Sequence, residues 1–116
     1  MTDLYFLNER HKARFEAAVK HYDIDARDQE KMALIYCVTA VGEADDYVEI
    51  DGGSMFIRPE ELTGVLSSGE QLLVSLGYHL YTWRDEYAVP EINFCRLDAS
   101  RFEVVIYALR LRTGNW

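Results

Sequence analysis

Three histidines and two cysteines are the side chains of this sequence best suited to bind a transition metal or to act as a nucleophile. His11, His21 and His79 have no partner at the His-x-x-x-His or Glu-x-x-His spacing that places two ligands on one helix face. We therefore expect His11 and His21 to lie on the solvated surface of a basic helix. We expect His79 to be partly buried and bonded to a neighbour. Cys37 and Cys95 lie in apolar runs, which favours buried structural cysteines over nucleophiles.

A string of carboxylates between residues 43 and 51, followed by two glycines, suggests calcium chemistry. An EF-hand loop needs a carboxylate in its first ligand position, and the two possible alignments place Tyr47 or Val48 there. Gly52-Gly53 also lacks the lysine and serine or threonine that follow in a phosphate-binding loop. The sequence therefore predicts no metal site, no cofactor and no catalytic residue, with weak adventitious cation binding as the alternative for the acidic string.

The same string belongs to a strongly acidic part of the chain. Residues 43–98 contain twelve acidic and three basic residues, a net charge of −9, whereas the whole chain carries −8 and residues 99–116 carry +2. A folded acidic surface suits a basic protein partner, and the total charge opposes direct nucleic-acid binding. Tyrosine and tryptophan supply rigid contact area at interfaces. The predicted partner-binding residues are Glu43, Asp45, Asp46, Glu49, Asp51, Glu60, Glu61, Tyr81, Trp83, Asp85, Glu86 and Tyr87.

The composition is that of a folded domain. A chain of 116 residues, 49% of them hydrophobic, can bury a core of its own, so we expect a single domain over residues 1–116. Two isolated cysteines favour a reducing compartment. We find no signal peptide and no apolar run long enough to span a membrane, and we therefore expect a cytoplasmic protein.

The elements that must position these residues are mainly helices. Apolar residues recur at helical spacing over 8–22, 25–41, 69–83 and 99–112. The predicted caps are Asn8, Asp25 and Asp98, the pair Ser67 and Glu70 forms a capping box, and Gly114 ends the last helix. The predicted core consists of Phe15, Val19, Ile35, Leu73, Leu76, Leu80, Phe102, Val105, Ile106 and Leu109.

The segments between these helices are less regular. Pro59 and Pro90 suit the first positions of short helices over 59–65 and 90–95. Residues 47–57 form either a small β-hairpin around Asp51-Gly52-Gly53-Ser54 or an irregular loop. The predicted fold class is a mainly α, small helical bundle of four main helices plus one or two short helices, with a possible minor hairpin.

Four segments of the chain resemble an uncharacterised family of small proteins carried by prophages and integrative elements of Gram-positive bacteria. They are Asn8-Glu9-Arg10-His11-Lys12-Ala13-Arg14-Phe15, Asp28 to Tyr36, Ile57 to Glu60, and Ser67 to Tyr81. From the first segment to the last they extend over residues 8–81, about two thirds of the chain. The resemblance implies a mobile-element setting, and it brings no catalytic residues to transfer.

Acidity and this setting lead to a functional hypothesis. Defence nucleases and repressors hold nucleic acid in basic grooves, which a folded acidic surface can occupy by imitating phosphate charge. We expect a non-enzymatic inhibitor of a host defence complex, in particular an anti-CRISPR protein that blocks an RNA-guided nuclease in the bacterial cytoplasm. One alternative is a mobile-element accessory protein that binds another protein or forms a homo-oligomer. Another is a small hydrolase of a nucleotide or nucleic-acid signal.

Overall fold

The structure is a computed structural model that describes residues 4–41, 48–51, 54–57, 67–82 and 97–114. Its elements in chain order are α1 (Glu9–His21), α2 (Gln29–Thr39), β1 (Val48–Asp51), β2 (Ser54–Ile57), α3 (Ser68–Thr82) and α4 (Ala99–Thr113). The protein is mainly helical, as predicted. The predicted short helices over 59–65 and 90–95 lie outside the described residues.

Local side-chain chemistry fixes most helix ends. The Asn8 side chain accepts a hydrogen bond of 2.8 Å from the His11 backbone amide and begins α1. Ser67 and Glu70 form the predicted capping box, since each side chain accepts from the other's backbone amide, at 3.2 and 2.9 Å. Asp98 caps α4, and Gly114 ends it with a left-handed φ of 73°.

The predicted cap of the second helix was wrong. α2 begins after Asp28, whose carboxylate accepts from the Lys31 amide at 3.1 Å. Asp25 instead accepts from the Arg27 backbone amide at 2.8 Å and from its guanidinium, closing a turn between the two helices. A hydrogen bond between an aspartate side chain and the backbone amide two residues later competes with helix capping. Here Asp25 forms that bond, so the turn forms instead of the cap.

α2 is the central helix of the bundle and packs against α1, α3 and α4. Its residues from Met32 to Thr39 are all buried, which accounts for the apolar side chains on every side of this helix. The other helices contribute one buried face each. The described core comprises Met32 to Val38 of α2 together with Phe15, Ala18, Ile24, Ala40, Val41, Leu73, Val74, Leu76, Tyr78, Leu80, Val104, Val105, Ala108 and Leu111.

The predicted core face of α4 was partly wrong. Val105 is buried, but Phe102 and Leu109 are 42% and 40% exposed, and Ile106 is half-buried. α4 turns Val104, Ala108 and Leu111 toward the core instead. Both faces of α4 carry apolar residues at helical spacing, so periodicity alone could not choose between them. The other predicted core residues are confirmed as buried, except Val19, which is partly buried against the core.

Residues 48–51 and 54–57 form the two strands of the predicted hairpin. β1 and β2 pair antiparallel with Val48 opposite Ile57 and Asp51 opposite Ser54. This register leaves two residues, Gly52 and Gly53, to connect the strands, the commonest loop length in hairpins. The hairpin is inserted in the chain between α2 and α3, the two helices that pack most closely on each other.

Candidate functional site

Three of the predicted partner-binding residues lie in the described part of the chain. Glu49 and Asp51 occupy alternate positions of β1, so both belong to the same face of the hairpin. Tyr81 belongs to α3, where it is half-buried and packs against the helical core. The structure thus brings two of the predicted carboxylates together on one strand and assigns Tyr81 partly to packing. Glu43, Asp45, Asp46, Glu60, Glu61, Trp83, Asp85, Glu86 and Tyr87 lie outside the described residues.

The two strands of the hairpin make their extensive contacts with each other. The extensive contacts of α1, α2, α3 and α4 are with other helices. In the described ranges the sheet consists of these two antiparallel strands. The hairpin therefore places Glu49 and Asp51 at alternate positions of one strand.

His11 is the histidine whose burial was predicted incorrectly from the sequence. The expectation of a solvated His11 was wrong, because its side chain is 1% exposed. His11 precedes Phe15 by four residues and Ala18 by seven, which is the spacing of the buried face of α1. That spacing was the available signal. His21 is exposed and His79 is half-buried, as expected.

Both ring nitrogens of His11 bind backbone groups. The Leu7 amide donates to Nδ1 at 3.0 Å, which leaves Nδ1 without a proton. Nε2 therefore carries the proton and donates to the Tyr36 carbonyl oxygen at 2.9 Å. Neither nitrogen is left to ligate a metal or to transfer a proton. His11 joins the segment before α1 to the middle of α2.

An aromatic cluster surrounds this imidazole. Phe6 lies edge-on to His11 with ring centroids 5.1 Å apart, and Phe15 lies edge-on to Tyr36 at 5.9 Å. The Tyr36 hydroxyl donates to the Tyr5 carbonyl oxygen, a second link between residues 4–8 and α2. Burial raises the pKa of Tyr36 far above its ordinary value, so the hydroxyl stays protonated as a donor.

The described cysteine is also a structural residue. Cys37 is fully buried in α2, and burial raises the pKa of its thiol to about 12. A thiol at that pKa is not ionised near neutral pH and is a poor nucleophile. The expected buried role of Cys37 is confirmed, whereas Cys95 lies outside the described residues.

Two wider properties of the described ranges bear on function. Within them, no three His, Cys, Asp or Glu side chains lie close enough together to hold a metal ion. None of their helices is long and apolar enough to cross a membrane.

The buried imidazole predicts a specific pH dependence of stability. Burial lowers the pKa of His11 below 6.5, so the unfolded chain binds a proton more readily than the folded protein. This contribution to stability is complete above about pH 6.5 and is lost as the pH falls from there toward the folded pKa. We expect the free energy of unfolding to decline over that interval by up to about 1.4 kcal/mol per pH unit.

Urea denaturation between pH 5 and pH 8 measures this decline, and NMR titration of the imidazole protons measures the pKa of His11 directly. A His21→Gln variant should keep the slope, because His21 is exposed. A His11→Gln variant should lose it. A His11 resonance that titrates at or above 6.5 would contradict the prediction.

The comparisons with known proteins assign the chain to a family. A model of the family of unknown function DUF6075 matches residues 1–114, so the chain belongs to that family. The expected membership of an uncharacterised family is confirmed. No curated protein and no solved structure matches the chain significantly.

Proposed function

We propose that this protein is a non-enzymatic binding module that presents its acidic residues to a basic surface of a partner protein. The observation that carries the proposal is the hairpin, which places Glu49 and Asp51 at alternate positions of one strand. His11 and Cys37 are buried and serve the core, so neither side chain offers a group for a reaction.

Charge favours a partner that ordinarily binds nucleic acid. Residues 43–98 carry a net charge of −9, and a protein groove that holds a phosphate backbone carries the opposite sign. Opposite charges steer encounter and raise the association rate. If the acidic module binds such a groove before the nucleic acid does, the nucleic acid can no longer enter it.

The proposed target is an RNA-guided nuclease of a host defence system, which makes the protein an anti-CRISPR inhibitor acting in the bacterial cytoplasm. The sequence resemblance of four segments of the chain to proteins of prophages and integrative elements supports this target, since a mobile element gains from blocking the defence that cuts it. An accessory interaction module with no role in defence is the alternative.

A pair of matched variants tests the hairpin. Glu49→Gln with Asp51→Asn removes two negative charges from β1 without changing the size of the side chains. Glu16→Gln with Asp23→Asn removes two exposed charges from the other end of the chain and serves as the control. Asn tolerates the positive φ of 51° at position 23.

We expect the wild type to protect a targeted plasmid in cells that carry the matching CRISPR system. It should also compete with target DNA for the purified nuclease, with a weaker effect at higher salt. The hairpin variant should need at least about threefold more protein for the same competition, mainly because association is slower. The control variant should behave as the wild type does. If the wild type fails to protect the plasmid in CRISPR systems of every type tested, the anti-CRISPR proposal is refuted and the accessory module remains.

A further inference from the structure

The face of α4 that turns away from the core has a regular apolar pattern. The residues along it follow one another at alternating steps of three and four, the a and d positions of a heptad repeat. We call this set the outer stripe: Ala99, Phe102, Ile106, Leu109 and Thr113. Phe102 and Leu109 keep 42% and 40% of their surface exposed, and Ile106 is half-buried. Core packing uses mainly the opposite side of the helix, and Phe102 and Leu109 are the large hydrophobic side chains that stay exposed among the described residues.

The charged residues beside the outer stripe are not equivalent. Arg112 donates to the Leu80 carbonyl oxygen at 2.7 Å, and its guanidinium lies 3.8 Å from the Glu30 carboxylate. Arg101 pairs with Asp98 at 3.0 Å. These two arginines stabilise the bundle and the helix start.

Glu103 and Arg110 are the other two charged residues beside the outer stripe. Both occupy e positions on the same edge of it. Glu103 is exposed, and the Arg110 guanidinium lies over the Tyr107 ring, 5.5 Å from its centroid. Among the described residues, no salt bridge uses either of them. The two opposite charges are seven residues apart, so they cannot pair with each other within one helix.

We propose that the outer stripe binds the outer stripe of a second copy of this chain, with the two α4 helices antiparallel. In antiparallel pairs the e positions of the two helices face each other. A two-fold axis near Tyr107 then places Glu103 against Arg110 of the second copy, and symmetry repeats the pair. The same register packs Ile106 against Leu109 of the second copy.

The charge pattern selects this arrangement over a parallel one. Parallel pairing would bring Asp98, at a g position, against Glu103 of the second copy, and like charges at that contact repel. The net charge of −8 repels two copies in general, yet residues 99–116 carry +2 and only one acid. The outer stripe thus lies in a segment with few acidic residues, where electrostatic repulsion between two copies is weak.

The length of the contact sets its strength. A helix of 15 residues is about 22 Å long and offers about two heptads, so the interface is at the small end of specific contacts. We therefore expect a weak dimer that forms with rising protein concentration. It uses a face of the protein other than the acidic hairpin, and so it does not depend on the proposed function.

Charge reversal with rescue tests the geometry. We expect sedimentation velocity to show a monomer at about micromolar concentration and a growing dimer fraction toward millimolar concentration. Glu103→Arg alone and Arg110→Glu alone should each weaken dimerisation about tenfold, because two symmetric attractive pairs become repulsive. The double variant restores both pairs with the charges exchanged, and it should dimerise within about twofold of the wild type.

Glu16→Arg on exposed α1 makes the same charge change away from the stripe and should leave dimerisation unchanged. Circular dichroism melts at low concentration check that every variant is folded. A wild type that stays monomeric at millimolar concentration overturns the proposal. So does a Glu103→Arg variant that dimerises normally, or a double variant that does not recover.

Discussion

Replacing His11 with alanine should lower the free energy of unfolding by about 3–5 kcal/mol. The change leaves the Leu7 amide and the Tyr36 carbonyl oxygen without the hydrogen bonds that the imidazole provides. It also removes the ring that packs against Phe6 and Tyr36. Because small domains are stable by only about 5–15 kcal/mol, the variant should be close to unfolding at room temperature. Urea denaturation at pH 8 measures the difference while the histidine is neutral.

His21→Ala is the matched control, since it makes the same chemical change on an exposed position of the same helix. It should stay within about 0.5 kcal/mol of the wild type. Equal effects at the two positions would contradict the buried placement of His11. Limited proteolysis adds a local measurement, because cleavage before α1 should accelerate more in His11→Ala than its global unfolding explains.

Gly77→Ala should have the second large effect, a loss of about 1–3 kcal/mol despite the better helix propensity of alanine. A Cβ added at Gly77 would lie 2.8 Å from the Cβ of Cys37 and 3.4 Å from the Leu34 carbonyl oxygen. These atoms belong to the backbone of α2 or are fixed to it, so rotation of a side chain cannot relieve the contact. α2 and α3 must move apart, and the contacts around them loosen.

A double-mutant cycle identifies the contact. In a Cys37→Gly background the opposing Cβ is absent, and Gly77→Ala should then cost much less than in the wild type. Cys37→Ala keeps the Cβ and removes only the sulfur, so it should not relieve the clash. If Gly77→Ala costs the same in all three backgrounds, the close approach of α2 and α3 at this point is wrong.

Helix ends were the part of the fold that sequence determined best. Asn8, Asp98 and the pair Ser67 and Glu70 cap their helices as predicted, because a cap depends on residues three positions apart. Asp25 failed because its carboxylate found a nearer amide, that of Arg27. A prediction of this kind is reliable when one local bond is available and fails when two compete.

Helix orientation was harder to predict, because a residue's burial depends on what the rest of the chain brings to it. His11 follows the spacing of a buried face, but a histidine is buried only if two partners satisfy its nitrogens. Those partners come from Leu7 and from Tyr36, which is 25 residues away. In α4, likewise, packing against α2 and α3 determines that Leu111 is buried and Leu109 is exposed.

The sequence located the acidic segment along the chain, but it could not give the arrangement of the acidic residues in space. Composition located the excess charge, and the hairpin then placed Glu49 and Asp51 on one face. Tyr81 illustrates the limit, because helical spacing fits both an interface anchor and a residue that packs on the core. The structure gives it a half-buried position against the core.

The central position of α2 has a consequence for how the protein is made. The buried residues of α2 are synthesised well before α4, which covers one side of them and begins only at Ala99. While the ribosome adds the intervening residues, that apolar side has no covering helix. The core can close only after α4 has left the exit tunnel. During synthesis the uncovered side of α2 is the natural binding site for a chaperone that holds unfolded chains.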